Sequence, residues 1–242
     1  MNMKREPNEM NILAIGAHPD DIEYGCGGTL LKYKKQGHSI FIAYTTSGNT
    51  GSNTLTDPFE IATLRENEAM RAAEIYGAQV RFLRSNDERL MDTDHTRSQV
   101  LDAMRWANPD VIFTHSSTDE SPDHATTSKL VRNMMLSLPG RNQRAQLPPI
   151  AKKPSLFLWE TDNGVDSLPE IYVDISDELE DKIKALACFA SQEDWMDVFG
   201  ADLGGDVRIM AEFRGMQYGC KYAECFRAFR IHGYMPDYKL LP

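Results

Sequence analysis

Two acidic residues stand side by side directly after an apolar run near the N-terminus. The segment AIGAHPDD, residues 14–21, places His18, Asp20 and Asp21 just where that run stops. Adjacent carboxylates repel each other unless a positive charge lies beside them, and a divalent cation supplies that charge. Imidazole and carboxylate groups are both good zinc ligands. His18 and Asp21 are therefore predicted to bind a metal ion.

A catalytic zinc usually takes three protein ligands and keeps a fourth position open for water, so a third ligand is expected at the end of another strand. The chain has six histidines. His115 and His124 follow the apolar run DVIFTH at 110–115, and His124 stands where the turn SPD passes into a helix. By contrast, His38 precedes a strand and is expected at the opposite end of the sheet, and His95 precedes a different helix.

Short apolar runs rich in β-branched and aromatic residues alternate with helix-length segments. The predicted strands are 11–17, 39–46, 80–83, 110–115, 155–160 and 170–176, and the predicted helices are 27–36, 59–76, 95–107 and 123–137. This order predicts an α/β fold, a Rossmann-like and mostly parallel sheet with helices on both faces. Later helical patterns at 176–190 and 206–218 predict a C-terminal part packed on the sheet. Ligands of such sheets bind outside the carboxyl ends of the strands, where both histidine motifs lie.

Composition limits the classes of function. The length of 242 residues fits one domain, 1–242, and 36 acidic against 26 basic residues give a net charge of −10, which opposes binding to nucleic acid or anionic membranes. The polar start MNMKREPNEM predicts no signal peptide, and no run of about 18 apolar residues predicts a membrane span. We therefore expect a soluble, cytoplasmic protein. Its four cysteines lack paired CxxC spacing, so reduced thiols are expected.

The glycines favour a second interpretation of the same region. GCGG at 25–28 follows a strand and opens a helix, and such turns can present backbone N–H groups to a phosphate. The segment is not GxGxxG, and no acidic residue closes the second strand before SGNTGS at 47–52, so a dinucleotide cofactor is disfavoured. A phosphate-bearing part of a sugar substrate stays open. SGNTGS is predicted to be a loop over the crevice.

Three motifs together resemble the PIG-L/LmbE-like family of zinc-dependent de-N-acetylases. They are AHPDD at 17–21, the Gly-rich continuation into GGTLLKY, and PDH at 122–124 with its Thr/Ser-rich helix start. Further segments are similar to family segments, so the likeness spans most of the chain: LRENEAMRAAEIYGAQV at 64–80, KIKALACFASQ at 182–192 and KYAECFR at 221–227. The resemblance implies a metal-dependent hydrolase, with zinc or alternatively ferrous iron, that removes an N-acetyl group from an N-acetylglucosamine-type sugar.

The resemblance also implies residue roles. His18, Asp21 and His124 correspond to the metal ligands, and Asp20 to a general base that takes the proton of a metal-activated water. Arg65 corresponds to an arginine that contacts substrate oxygens. The alternative for Arg65 is a helix-surface guanidinium paired with a neighbour such as Glu68.

Two carboxylates flank the second motif. Asp123 is assigned to the substrate side of the site, with the alternatives that it is a helix-start carboxylate or orients His124. Asp119 has the same two structural alternatives, of which the cap-and-loop role is favoured. Glu160, at the end of another predicted strand, is expected near the pocket.

Two positions depart from the family pattern. Ser121, also assigned to substrate binding, stands where the family usually carries a histidine before Pro-Asp-His, and a hydroxyl donates a weaker hydrogen bond than an imidazolium. His115 or His232 could fill that role. Phe189 stands where the late helix commonly has a histidine. Two alternatives therefore stay open: a metal-containing sugar-binding protein with weakened catalysis, and a zinc-dependent hydratase or amidase on the same fold. The expected partner is a small acetylated amino sugar, and a homo-oligomer is plausible.

Overall fold

The structure, a computed structural model, describes residues 9–198, 200, 202–232 and 234–242. The prediction that MNMKREPNEM is not a signal peptide rests mostly on the first eight residues, which lie outside this part of the chain. The strands are β1 Asn11–Gly16, β2 Ser39–Thr46, β3 Gln79–Ser85, β4 Val111–Thr114, β5 Ser155–Trp159, β6 Ile171–Asp174 and β7 Ala223–Ala228. The helices are α1 Asp21–Lys35, α2 Pro58–Tyr76, α3 Asp94–Ala107, α4 Pro122–Met134, α5 Leu179–Leu186, α6 Ala190–Asp197 and α7 Leu203–Tyr218.

The described strands form one seven-stranded sheet in the order β3-β2-β1-β4-β5-β7-β6. The first five strands in this order are parallel, whereas β7 pairs antiparallel with both β5 and β6. The chain leaves β1 toward β2 on one side and returns to β4 on the other, so β1 and β4 flank the topological switch point. A crevice opens at such a point, outside the carboxyl ends of the two strands.

Helices cover both faces of the sheet, as the alternation of strands and helices predicted. Side chains of β1 alternate between two cores: Ile12 and Ala14 pack with residues of α1, α2, α5 and α7, while Leu13 and Ile15 pack with residues of α3 and α4. All four β1 side chains are completely buried. Burial on both faces explains why the strand is a continuous apolar run instead of an alternating one.

Strand β7 was not predicted from the sequence. Its run AECFRA carries Glu224 in the middle, which breaks the apolar pattern on which strand prediction relies. Glu224 is only 4 % exposed. Its carboxylate accepts hydrogen bonds from the backbone N–H groups of Gly28 and Thr29, both at 2.8 Å, and forms a buried ion pair of 2.6 Å with Lys182. The charge in this strand therefore caps the part of α1 that follows a bend at Cys26.

Helix α1 begins at Asp21, six residues earlier than predicted, and bends at Cys26, whose backbone is not helical. The glycines around the bend allow close packing, because a Cβ at Gly25 would lie 2.6 Å from the Trp159 ring and one at Gly28 would lie 2.8 Å from Ile175. The N–H groups of the bend already bind Glu224. The phosphate-binding interpretation of GCGG therefore does not hold for the N–H groups of Gly28 and Thr29.

The predicted helix 176–190 is shorter in the structure, and a second helix that was not predicted follows it. Helix α5 ends at Leu186 and α6 begins at Ala190, so that the chain turns and brings α6 over the carboxyl edge of the sheet. Phe189, at the turn, is completely buried in the core. In the described part of the chain no helix is both long and apolar enough to cross a bilayer.

Candidate active site

The carboxyl ends of the parallel strands surround one cavity of about 670 Å³, within the ~300–1,000 Å³ typical of small-molecule sites. His18, Asp20 and Asp21 enter it directly after β1. Ser121, Asp123 and His124 enter it from the start of α4, which follows β4. The two motifs are more than a hundred residues apart in sequence, and the topological switch point brings them together.

His18, Asp21 and His124 form a compact cluster of ligating atoms. Nδ1 of His18 lies 3.2 Å from Nε2 of His124, and Asp21 reaches both rings, with Oδ1 3.3 Å from the His124 nitrogen and Oδ2 3.5 Å from the His18 nitrogen. The carboxylate is held in place by the backbone N–H of His18, which donates to Oδ2 at 2.6 Å. These are the three residues that the sequence predicted as ligands.

The far side of each ring fixes its tautomer. Nδ1 of His124 lies 3.1 Å from Oδ1 of Asp119, and Nε2 of His18 lies 2.9 Å from Oδ1 of Asp87. Carboxylates accept hydrogen bonds, so each ring donates from that nitrogen, and in a neutral ring the other nitrogen then carries a lone pair. With both rings neutral, these two lone pairs would face each other at 3.2 Å, an arrangement that a cation bound between the rings would stabilise. The cluster therefore fits a divalent metal with hydrogen-bonded imidazole ligands.

Electrostatics at the cluster also favour positive charge. Burial alone would lower the pKa of His124, but Asp21 and Asp119 outweigh it and raise this pKa to about 11. Burial would likewise lower the pKa of His18, yet neighbouring carboxylates, chiefly Asp21, raise it well above its usual value. Burial would raise the pKa of Asp21, and the surrounding histidines instead bring it well below the usual range. A site that stabilises protons in this way also stabilises a metal dication.

Asp20 lies beside the cluster in an unusual backbone conformation, with φ 124° and ψ −28°. Positive φ is costly for a residue with a Cβ and is retained mainly where a functional site requires it. Oδ1 of Asp20 pairs with Nη2 of Arg65 at 3.1 Å. Burial raises the pKa of Asp20 to about 6, although the Arg65 charge opposes that rise.

Arg65 is 3 % exposed and lines the cavity, so it is not the helix-surface guanidinium of the alternative interpretation. Besides Asp20, it donates to the carbonyl oxygens of Pro19 at 2.5 Å and Gly48 at 3.2 Å. Glu68 does not pair with it and instead accepts from the backbone N–H and hydroxyl of Ser191. Arg65 therefore ties Asp20 to the loop after β2.

The carboxylates around α4 have structural partners. Asp119 accepts from Nδ1 of His124 and from the backbone N–H of Ser121 at 3.0 Å, so it both caps the turn and orients the His124 ring. Asp123 lines the cavity but accepts from the backbone N–H groups of Glu88 and Leu90, at 2.7 and 3.2 Å. It approaches His18, at 3.4 Å, and not His124. Ser121 lines the cavity at the position before α4.

Neither histidine considered as a replacement for the one missing at 121 is among the described residues that line the cavity. His115 is completely buried, accepts from the backbone N–H of Ala17 at 2.9 Å, and stacks on His124 with ring centres 4.0 Å apart. Burial lowers its pKa to about 4, so it supports the site as a neutral ring. His232 is exposed. Glu160 pairs with Arg214 and does not line the cavity either.

Sequence reasoning missed two groups of cavity residues. Asp87 contacts His18 from the segment after β3, and a carboxylate just past a predicted parallel strand could have indicated it. The second group comes from the connection after β5, from α7, and from α6, a helix that was not predicted. It comprises Asp162, Asn163, Gln192, Trp195, Met196, Leu203 and Asp206.

Comparison with known proteins agrees with this geometry. The chain is 28 % identical over 228 residues to the diacetylchitobiose deacetylase of Thermococcus kodakarensis, covering 89 % of this chain and 82 % of that protein. It is 24 % identical over 195 residues to the 4-oxalmesaconate hydratase of Pseudomonas putida, covering 76 % and 75 %. The N,N'-diacetylchitobiose deacetylase of Pyrococcus horikoshii, solved with an inhibitor, has a TM-score of 0.80 at 26 % identity, with 92 % of this chain and 84 % of that chain covered.

The family profile described as "PIG-L: GlcNAc-PI de-N-acetylase" matches residues 13–135. This range runs from β1 through α4 and contains His18, Asp20, Asp21, Arg65 and His124. The chain therefore belongs to the PIG-L family, as its motifs predicted.

Proposed function

We propose that this protein is a metal-dependent N-deacetylase that hydrolyses the acetamide of an N-acetylglucosamine-type sugar or glycoside. The observation that carries the proposal is the convergence of the His18 and His124 lone pairs and the Asp21 carboxylate, with a second carboxylate, Asp20, directly beside them. The likeness to two diacetylchitobiose deacetylases over most of the chain supports the same reaction class.

His18, Asp21 and His124 would hold the cation, for which zinc or ferrous iron are the expected choices. A bound dication supplies Lewis-acid chemistry, lowering the pKa of water and polarising a carbonyl. The three residues leave the cavity side of the cluster open, as a catalytic site requires. Asp87 and Asp119 keep the two rings in the ligating tautomer.

Asp20 is proposed as the general base and then the general acid. Arg65 pairs with its Oδ1, so Oδ2 is the proposed proton acceptor. Asp20 takes a proton from the attacking water as the water oxygen bonds to the acetyl carbon. It then gives that proton to the sugar nitrogen as the C–N bond breaks, releasing acetate and a free amine. Arg65 holds the carboxylate toward the cavity throughout.

Ser121 affects the rate of this reaction. Its hydroxyl can donate one neutral hydrogen bond to the developing oxyanion, which is weaker than the charge-assisted bond of an imidazolium. Since neither His115 nor His232 replaces the missing group, protonation of the leaving amine is assigned to Asp20 alone. We expect turnover to be slower than in an enzyme with histidine at this position.

A hydratase is the second candidate because one relative is the Pseudomonas putida 4-oxalmesaconate hydratase. That enzyme's named substrate is a carboxylate. The present cavity is lined by Glu88, Asp162 and Asp206, and these charges disfavour a polycarboxylate. Product analysis separates the two reactions, because a hydratase releases neither acetate nor amine from an acetylated sugar.

The test is elemental analysis of gently purified protein together with acetate release from N-acetylglucosamine and its glycosides. We expect about one zinc or iron per chain and acetate release. Asp20→Asn should retain the metal while losing about 10²–10⁴-fold in kcat, and Asp94→Asn, an exposed residue outside the cavity, should change neither. Loss of metal from Asp20→Asn would contradict the role given to Asp20. Metal without acetate release would favour a sugar-binding protein.

A further inference from the structure

One part of the cavity wall is apolar. Leu186 of α5, Trp195 and Met196 of α6, and Leu203 of α7 line this part. Leu186 is buried, and the other three are partly exposed. Apolar and aromatic side chains in a concave site bury the apolar surface of a ligand. This apolar part of the cavity is therefore suited to the group that is attached to the acetylated sugar.

Three carboxylates from separate elements line the same cavity. Glu88 follows β3, Asp162 follows β5, and Asp206 lies in the first turn of α7. None of the three forms an ion pair with a residue in the described part of the chain. They differ in this respect from Asp20, which pairs with Arg65, and from Asp119 and Asp87, which bind the ligand histidines. Burial raises the pKa of Asp162 to about 7, and a cationic ligand would lower it by stabilising the ionised carboxylate. Carboxylates that line the cavity without a cationic protein partner are therefore available to a positively charged ligand.

The cavity offers little to neutralise an anionic ligand. Among the described lining residues Arg65 is the one lysine or arginine, and it is already engaged by Asp20 and two backbone carbonyls. A bound dication would act at the metal-ligand cluster, where the proposed function places the acetyl group. Several carboxylates in one cleft raise the local concentration of cations and disfavour the binding of anions. The indole of Trp195 lines the same cavity, and an indole ring face can also bind an ammonium ion.

We propose that the natural substrate carries a positively charged group, of the primary-amine class, on an apolar or aromatic aglycone, and that Trp195, Asp162 and Asp206 select it. The inference rests on the proposed function only for the placement of the acetylated sugar at the metal-ligand cluster. It distinguishes this substrate from the acidic sugar conjugates that the same chemistry could hydrolyse.

Three glycosides of N-acetylglucosamine that differ only in the charge of the aglycone test the proposal. They carry 4-(aminomethyl)phenyl, 4-(hydroxymethyl)phenyl and 4-carboxyphenyl groups, each prepared as both anomers. Acetate release is the readout, because the first aglycone itself contains an amine. We expect kcat/KM to fall about fivefold at each step from cation to neutral to anion, and the ratio to shrink as ionic strength rises. Equal values, or a preference for the anion, would overturn the proposal.

Variants assign the selectivity to residues. The double substitution Asp162→Asn and Asp206→Asn should reduce the preference for the cation over the anion from about 25-fold to less than about fivefold. Glu74→Gln, which removes one charge from an exposed position of α2 outside the cavity, should leave that preference unchanged. Trp195→Leu should lower kcat/KM for all three aryl glycosides more than for the methyl glycoside of N-acetylglucosamine. Selectivity that survives the double substitution would overturn the assignment.

Failure of the inference and failure of the proposed function give different results. Calorimetric binding of the three glycosides to Asp20→Asn measures charge selection without turnover. Binding in the order cation, neutral, anion with no acetate release from wild-type protein would retain the inference and reject the deacetylase. Acetate release with no order of charge would retain the deacetylase and reject the inference. If no glycoside binds, both are rejected.

Discussion

In the proposed metal centre Asp119 would orient His124 without itself binding the ion, and its removal should weaken metal binding. Its Oδ1 accepts from Nδ1 of His124 at 3.1 Å and from the backbone N–H of Ser121 at 3.0 Å. In Asp119→Ala the His124 ring can rotate or change tautomer, so its Nε2 no longer presents a lone pair to the proposed metal site. Loss of a hydrogen-bond partner of a ligand histidine typically costs 10–100-fold in metal affinity, about 1.4–2.7 kcal/mol. We expect a loss in this range.

The assay is competition for zinc against a chromophoric chelator, combined with the d–d absorption spectrum of the cobalt-substituted protein. Asp119→Asn keeps a side-chain oxygen that can accept both hydrogen bonds, so it should retain most of the affinity. Asp92→Ala is the matched control: its carboxylate lies at a distance from the cluster and pairs with Arg97 and Lys129. An unchanged zinc affinity and cobalt spectrum in Asp119→Ala, or an equal loss in Asp92→Ala, would refute the reasoning.

Three further predictions concern turnover and stability. Ser121→His should raise kcat several-fold without changing the metal content, because an imidazolium stabilises the oxyanion better than a hydroxyl; an unchanged or lower kcat in metal-loaded protein would contradict the role given to this position. Lys182→Met should lower the free energy of unfolding by about 3–5 kcal/mol, since it leaves the buried Glu224 carboxylate without its ion pair; a loss below about 1 kcal/mol in urea denaturation would count against it. Gly25→Ala should cost about 1–3 kcal/mol through overpacking against the indole behind it, whereas Gly204→Ala, where a Cβ meets nothing closer than 3.6 Å, should not destabilise the protein.

The parallel part of the fold was predictable because its strands are short buried apolar runs separated by helices. The inner site was predictable for a related reason. His18 with Asp21, and His124, each follow a parallel strand, and parallel strands end at the same edge of the sheet. The strand order alone was therefore enough to predict that residues more than a hundred positions apart come together in one cluster.

The part of the cavity that the late helices form was not predictable from such patterns. Trp195 reaches the cavity from α6, a helix that begins after the turn at Phe189 and that the sequence analysis did not predict. Glu224 was missed because a charge inside a strand contradicts the apolar pattern. Its role depends on the bend of α1 at Cys26, which is a tertiary feature. Arg65 was predicted to contact substrate oxygens. Its pairing with Asp20 and its hydrogen bond to the Gly48 carbonyl oxygen were not predicted.

The most direct test of the central claim is acetate release from N-acetylglucosamine glycosides by one protein sample measured before chelation, after chelation, and after return of one equivalent of zinc. The account predicts that activity is lost on chelation, that it returns with zinc, and that a His124→Ala variant neither retains the metal nor recovers. Acetate release that persists in fully metal-free protein, or in His124→Ala, would contradict it.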